Sequence, residues 1–278
     1  MAEEPRYAIY FVPAAQSRLY RFGSFVLGYD CYTGKPVPPD NDFAIDRKEW
    51  DKLTEEPRRY GFHATLKAPF HLSHACTEAQ LISAISSFAG LGHVVTTIAP
   101  AIRMLGGFAA MVPEHAEPTV DALAMKCTTL LDAFRAPMSA QERARRLALG
   151  LSQNQMQNLE RWGYPFLFSD FRFHMTLTGR ISLDRRNEVL AWLAKTFDRM
   201  CGSEPITIDR LALVRQDGAD VPFRVIAETI LKPAVRQSTL RFSRHAQTRL
   251  SAASRALHQR PSQPGADHVD DDDRHYDY

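Results

Sequence analysis

Apolar and polar positions alternate over residues 6–13, RYAIYFVP, in a run dense in β-forming side chains, which predicts a strand. FHATLKAPF (62–70) predicts another. The next stretch changes period. From Thr77, a capping residue, to Gly90, apolar residues fall at Leu81, Ile82, Ile85 and Phe88, the spacing of an amphipathic helix. VVTTIAPAIRML and FAAMVP follow, joined by Gly106-Gly107, which predicts a hairpin. Helical patterns then cover about 117–135 and 139–162, and FRFHMTLTG (171–179) returns to strand. A helix is predicted over 184–200, with Val189, Leu190, Trp192, Leu193 and Phe197 on its apolar side. Last, ITIDRLALVRQ and PFRVIAETIL flank an Asp217-Gly218 turn.

The order strand, helix, hairpin occurs twice. Each strand opens on the same five-residue pattern, Phe-His-x-Thr-Leu, at 62–66 and at 173–177. The hairpin turn follows each histidine at the same separation, 43 residues (63 to 106 and 174 to 217). Equal spacing of three features identifies an internal duplication. The expected fold is therefore α+β, with two lobes at about 5–115 and 116–231. Each lobe contributes one motif strand to facing antiparallel sheets.

Composition narrows the classes. The 278 residues are 45% hydrophobic and 24% charged with a formal net charge of +2, as in a soluble globular protein without a global basic field. Cys31, Cys76, Cys127 and Cys201 show no C-x-x-C spacing and are expected to be reduced packing thiols. The start MAEEPRYAIYFVP lacks a signal-like apolar run, and no stretch is long enough for a membrane span, so the expected setting is cytoplasmic. Residues 232–278 turn basic, then Ser/Pro/Gln-rich, then acidic. They predict a disordered tail, with one short basic helix around Leu240 to Leu257. Nothing in the sequence fixes the oligomeric state.

On a strand, alternate residues share a face. His63, Thr65 and Lys67 then lie together, and so do Arg172, His174, Thr176 and Thr178, with the motif Phe and Leu residues turned to the core. A cleft between the lobes would gather both polar faces. Two imidazoles suit a proton acceptor and a proton donor. The Thr hydroxyls, with Lys67 and Arg172, suit the oxygens of a phosphoryl group. Such a set suits cleavage of a phosphodiester, with His63 and His174 as the expected catalytic pair.

Twin H-x-T motifs in a duplicated bilobal α+β chain resemble the 2H phosphoesterase superfamily, over roughly residues 5–231. RYAIYFVP, RYGFHATLKAPF and FRFHMTLTGR resemble its branch encoded beside phosphonate-degradation genes. The resemblance implies two sheets with outer helices around a central cleft. It also implies His63 and His174 as the acid/base pair, Thr65 and Thr176 as phosphate-oxygen ligands, and work without metal or other cofactor. The expected reaction opens a cyclic phosphodiester of a small ribose phosphate or nucleotide, in phosphonate catabolism. An RNA-end-processing phosphodiesterase or ligase-like protein is the alternative within the superfamily. Lys67 stands where many 2H proteins carry an apolar residue, so its role rests on strand geometry alone.

Other residues offer rivals. His63, His71 and His74, with His174, could surround a metal ion, although His71 and His74 lie beyond Pro69 and no Cys or carboxylate completes the set. Arg58, Arg59 and Tyr60 would serve a non-catalytic RNA-binding module. The basic helical run 141–150 reads as a solvated face at the edge of the cleft, and the Pro-rich loop 29–43 as a candidate lid.

Overall fold

Alternation along β1 (Arg6–Phe11) buries both of its sides. Tyr7, Ile9 and Phe11 enter the main core, while Ala8 and Tyr10 join Val12, Cys31, Val214 and Phe223 in a second, smaller cluster. A strand buried on both faces belongs inside a sheet. The computed structural model describes residues 4–38 and 45–234. The tail from 235, its expected helix at 240–257, and positions 39–43 of the candidate lid, with 44, lie outside the described residues.

The remaining strands are β2 (Tyr29–Asp30), β3 (Lys35–Pro36), β4 (Ala64–His71), β5 (Thr96–Ile98), β6 (Pro100–Leu105), β7 (Phe108–Pro113), β8 (Met175–Arg180), β9 (Ile206–Ile208), β10 (Arg210–Gln216) and β11 (Arg224–Ile230). The fold is α+β, and every pairing between these strands is antiparallel. The main sheet runs β11-β10-β1-β4-β8-β7-β6, with β2-β3 and β5-β9 as separate pairs. It has a four-stranded part ending at β4 and a three-stranded part starting at β8. One residue pair, Ala64 opposite Met175, joins them.

The hairpins have changed places. β6-β7, which follows the first motif in sequence, pairs with the second motif strand β8, while β10-β11 reaches the first motif strand through β1. The expected lobe boundary falls at residues 115/116, whereas the sheet groups 6–11, 64–71 and 210–230 against 100–113 and 175–180. β5 and β9 also pair across the repeats.

Eight helices appear among the described residues: α1 (Arg18–Leu27), α2 (Arg47–Leu53), α3 (Glu55–Arg58), α4 (Glu78–Ala89), α5 (Pro118–Leu130), α6 (Ala140–Leu147), α7 (Gln153–Trp162) and α8 (Arg186–Cys201). α4 starts where the pattern placed it, with Thr77 and Gln80 closing a capping box. The single helical pattern over 139–162 is two helices, interrupted at Gly150 (φ 72°). α1 to α3 were not among the expected elements. α1 carries Gly23 over Phe62, where a Cβ would stand 1.9 Å from the Phe62 ring, so the motif phenylalanine fills the space a side chain would need. The motif residues Phe62, Leu66, Phe173 and Leu177 all lie in the main core. Cys31, Cys127 and Cys201 are buried free thiols, and no described helix is long and apolar enough to cross a membrane.

Lys67 departs from strict alternation. Opposite β1, Tyr10 faces Thr65 and the next residue, Ile9, faces Lys67, so Leu66 is an extra residue in β4. A bulge of this kind reverses the face taken by each later residue of the strand. Thr65 stays on the Tyr10 side and Lys67 turns to the core side, where it is 3% exposed.

Candidate active site

The pair Ala64–Met175 sets the geometry. With these two opposite each other in antiparallel strands, His63 lies opposite Thr176, and Thr65 opposite His174. Ala64 and Met175 point into the core. The two histidines and two threonines therefore form a four-cornered patch on the other face of the β4/β8 seam. The imidazoles occupy diagonal corners, about 7–8 Å apart as backbone positions.

Both rings are held alike. His63 Nδ1 is 2.9 Å from the carbonyl oxygen of Gly61, and His174 Nδ1 is 2.8 Å from that of Arg172, in each case two residues back. A carbonyl only accepts, so each Nδ1 carries the proton and each neutral ring has its lone pair at Nε2. The Thr65 hydroxyl lies 3.2 Å from His63 Nε2 and donates to it when the ring is neutral. Gly61 reaches its position through φ +73° with Cys31 close behind, where a Cβ would be 2.7 Å away.

The two imidazoles differ in surroundings. His63 is 5% exposed and lies stacked on Tyr10, ring centroids 3.8 Å apart. Burial pushes its pKa down to about 4, opposed by the Gly61 carbonyl and assisted by the charge of His174. His174 is half-buried, with the Phe108 ring 5.9 Å away. Removal from solvent lowers its pKa as well, against the pull of the Arg172 carbonyl. His174 as a residue keeps more solvent contact than His63. Thr176 is buried and Thr65 half-buried.

Aromatic residues surround this patch. Tyr60 faces His63 at 6.2 Å and stacks on Phe223 at 5.4 Å. Tyr10 is enclosed, its hydroxyl has no hydrogen-bond partner, and burial, with Tyr60 and Tyr164 nearby, holds its pKa well above 10.

One expected phosphate ligand lies on the other face of β4. The structure corrects the placement of Lys67: its ammonium meets Asp132 at 3.0 Å and the Thr128 carbonyl at 3.3 Å, on the core side of β4. Arg172 precedes β8, so alternation does not govern it. Its Nη1 donates to the carbonyls of Ser169 and Phe171, while its own carbonyl orients His174. Thr178 is fully buried and accepts from the Ala109 backbone N–H at 2.9 Å.

The rival clusters disperse. His74 is exposed near Glu4, and among the described residues no three His, Cys, Asp or Glu side chains gather as a metal site. Arg58 donates to the Leu27 carbonyl, Asp51 and Thr54, and Arg59 to the Ala219 carbonyl, which ties both to the fold. Sequence reasoning missed Tyr10 and Gly61. The glycine immediately before Phe62-His63 was a usable signal, whereas Tyr10 read as one more strand aromatic.

The family described as "Protein of unknown function (DUF1045)" matches residues 65–224. Two curated proteins named ribose 1,5-bisphosphate phosphokinase PhnN are also similar. That from Janthinobacterium sp. (strain Marseille) is 35% identical over 222 residues, covering 78% of this chain and 49% of the relative. That from Laribacter hongkongensis (strain HLHK9) is 34% identical over 225 residues, covering 79% and 50%. The chain thus spans about half the length of the curated relatives it matches. Among solved structures, E. coli LigT complexed with ATP is 14% identical with a TM-score of 0.36, covering 83% of this chain and 99% of that one. A phosphoesterase crystal structure is 13% identical with a TM-score of 0.38, over the same shares. Likeness at that level is too loose to bear on the chemistry.

Proposed function

The chain belongs to the DUF1045 family, and from that premise we propose that it is a metal-independent phosphodiesterase of the 2H type that opens a cyclic phosphodiester on a small ribose phosphate. One observation carries the proposal: the seam pair Ala64–Met175 brings His63, Thr65, His174 and Thr176 onto one face, with each imidazole tethered through Nδ1. Two Nε2 atoms on diagonal corners suit a displacement in which a base and an acid work on opposite sides of one phosphorus.

The roles follow from the surroundings. His63, buried and stacked on Tyr10, stays neutral and serves as the base. His174, nearer solvent, takes a proton when the anionic substrate binds and serves as the acid. A water oxygen attacks phosphorus and passes a proton to His63 Nε2. The bond from phosphorus to the sugar oxygen breaks, and His174 Nε2–H protonates that oxygen. Cyclic diester and water become a phosphomonoester and a free hydroxyl, and solvent returns the proton between the rings. When substrate binds, the Thr65 hydroxyl turns its proton from His63 Nε2 to a non-bridging oxygen, which frees Nε2 for the water, and the Thr176 hydroxyl donates to another such oxygen, where charge grows.

The curated relatives are named for ribose 1,5-bisphosphate. Opening the 1,2-cyclic phosphate of ribose 5-phosphate with the 2-oxygen as leaving group yields that compound, which makes such a cyclic sugar the preferred candidate substrate. The phosphonate-operon resemblance and a cytoplasmic setting belong to the same proposal.

The test is a product assay on a panel of cyclic ribose phosphates and RNA 2′,3′-cyclic ends, in the presence of a chelator. Turnover should persist under chelation. Replacing His63 or His174 by Ala should cost about 10²- to 10⁴-fold, and Thr65→Ala or Thr176→Ala about 10- to 100-fold. Folded histidine variants with near-normal turnover would refute the assignment.

A further inference from the structure

The basic run 141–150 holds one residue that its pattern does not explain. Arg146 is the single buried residue of α6, only 4% exposed, among neighbours that face solvent. Its guanidinium lies over the Tyr164 ring, 5.2 Å from the centroid. Its Nε has no hydrogen-bond partner, and it enters no ion pair among the described residues. Arg143, one turn earlier on the same helix, pairs with Glu160 at the surface in the ordinary way. A guanidinium cannot shed its charge, and burying one without a carboxylate is unfavourable. A fold that keeps such a group has a use for an anion there.

Its neighbour Tyr164 connects that anion to the catalytic patch. The phenol of Tyr164 lies within electrostatic reach of Tyr10, and Tyr10 stacks on His63. The segment that carries Tyr164 is also fixed to the second motif. Asn158 donates to the carbonyls of Pro165 and Leu167, and Gln155 and Asn154 hold the Asp170 carboxylate. His174 comes four residues later. The guanidinium is thus packed on Tyr164 and the imidazole of His63 on Tyr10, with the charge of one phenol felt by the other.

We propose that Arg146, seated on Tyr164, is a second anion subsite beside the His63/His174 patch and binds a phosphomonoester carried by the same sugar as the cyclic phosphodiester. The planar fork of arginine takes two phosphate oxygens at once, which a lone ammonium does not. Selection then comes from two points: the seam holds the diester that reacts, and Arg146 holds the monoester that does not. The inference rests on the phosphodiesterase proposal for its substrate, and its test separates the two.

Two sugars are compared as substrates, ribose 5-phosphate 1,2-cyclic phosphate and ribose 1,2-cyclic phosphate, for the wild type, Arg146→Met and Arg146→Lys. The preference for the 5-phosphorylated sugar, as a ratio of kcat/KM, should fall about 10- to 100-fold in Arg146→Met, mainly through KM. Arg146→Lys should recover part of it. A ratio that stays the same in a folded Arg146→Met overturns the subsite. A second measurement needs no turnover. Ribose 5-phosphate should raise the unfolding midpoint of the wild type and of His63→Ala, but not that of Arg146→Met. If neither cyclic sugar is hydrolysed, the phosphodiesterase proposal fails and this measurement decides the subsite alone. Equal stabilisation of the wild type and Arg146→Met by ribose 5-phosphate refutes it.

Discussion

Burying His63 should make the protein acid-sensitive in a defined window. The ordinary imidazole pKa is 6.5 and the folded value is about 4, a difference of roughly 2.5 units or about 3 kcal/mol. Because the folded pKa is the lower one, the unfolded chain takes up the proton first as pH falls. Above 6.5 neither state is protonated at this site and stability is untouched. Between 6.5 and 4 the unfolded state gains a proton that the folded state refuses, so stability drops. Below 4 both are protonated and the loss levels off. His63→Asn keeps a polar group near the Gly61 carbonyl but cannot titrate. Urea unfolding of both proteins at pH 7.5, 5.5 and 4 isolates the effect. The stability of the variant relative to the wild type should rise by about 3 kcal/mol from the highest pH to the lowest. Some of the depression comes from the charge of His174, so a smaller rise would assign that share to the pair. A difference that stays flat within about 0.5 kcal/mol would refute the buried, neutral imidazole and with it the choice of His63 as base.

Four further outcomes rest on the same structure. The kcat/KM profile should be bell-shaped, with its acid limb near pH 4 from His63 and its alkaline limb below 6.5 from His174; a rate that climbs steadily through pH 8 would reassign the roles. Asp132→Asn should cost about 3–5 kcal/mol in urea unfolding, since it leaves the buried Lys67 beside Arg135 without its carboxylate. Lys67→Met should stay folded with turnover within a few-fold of the wild type, and a collapse of turnover would restore Lys67 to the site. Gly61→Ala forces an alanine at φ +73° against Cys31. It should cost about 1–3 kcal/mol and reduce kcat while the variant is still folded, because the carbonyl that aims His63 is displaced. An unchanged kcat would show that this carbonyl does not position the ring.

The local chemistry was legible in the sequence where it depends on neighbours a few residues away. Phe62 and Leu66 against His63 and Thr65 is a period-two pattern, and the strand obeys it as far as Thr65. Lys67 was not legible because the extra residue at Leu66 is set by how β4 lies against β1, more than fifty residues earlier. The same limit hid the exchange of hairpins: equal spacing reveals a repeat but says nothing about which strand a hairpin joins. Arg146 was hidden for a third reason. In a run of basic helical residues, one that is buried has the same periodicity as those that are solvated, and only the tertiary structure separates them.

The exchanged hairpins bear on how this chain can be made. Arg6 finds Gln216, 210 residues later, and β1 stays an open edge until β10 has left the ribosome. Meanwhile β6-β7 has emerged without the strand it will join. Residues 5–115 alone thus hold β1-β4 and β6-β7 without the strands that join them, and their strand edges are expected to stay open until nearly the whole described chain is available. Cut between the repeats, the two fragments should be insoluble or unfolded apart and recover structure only when mixed.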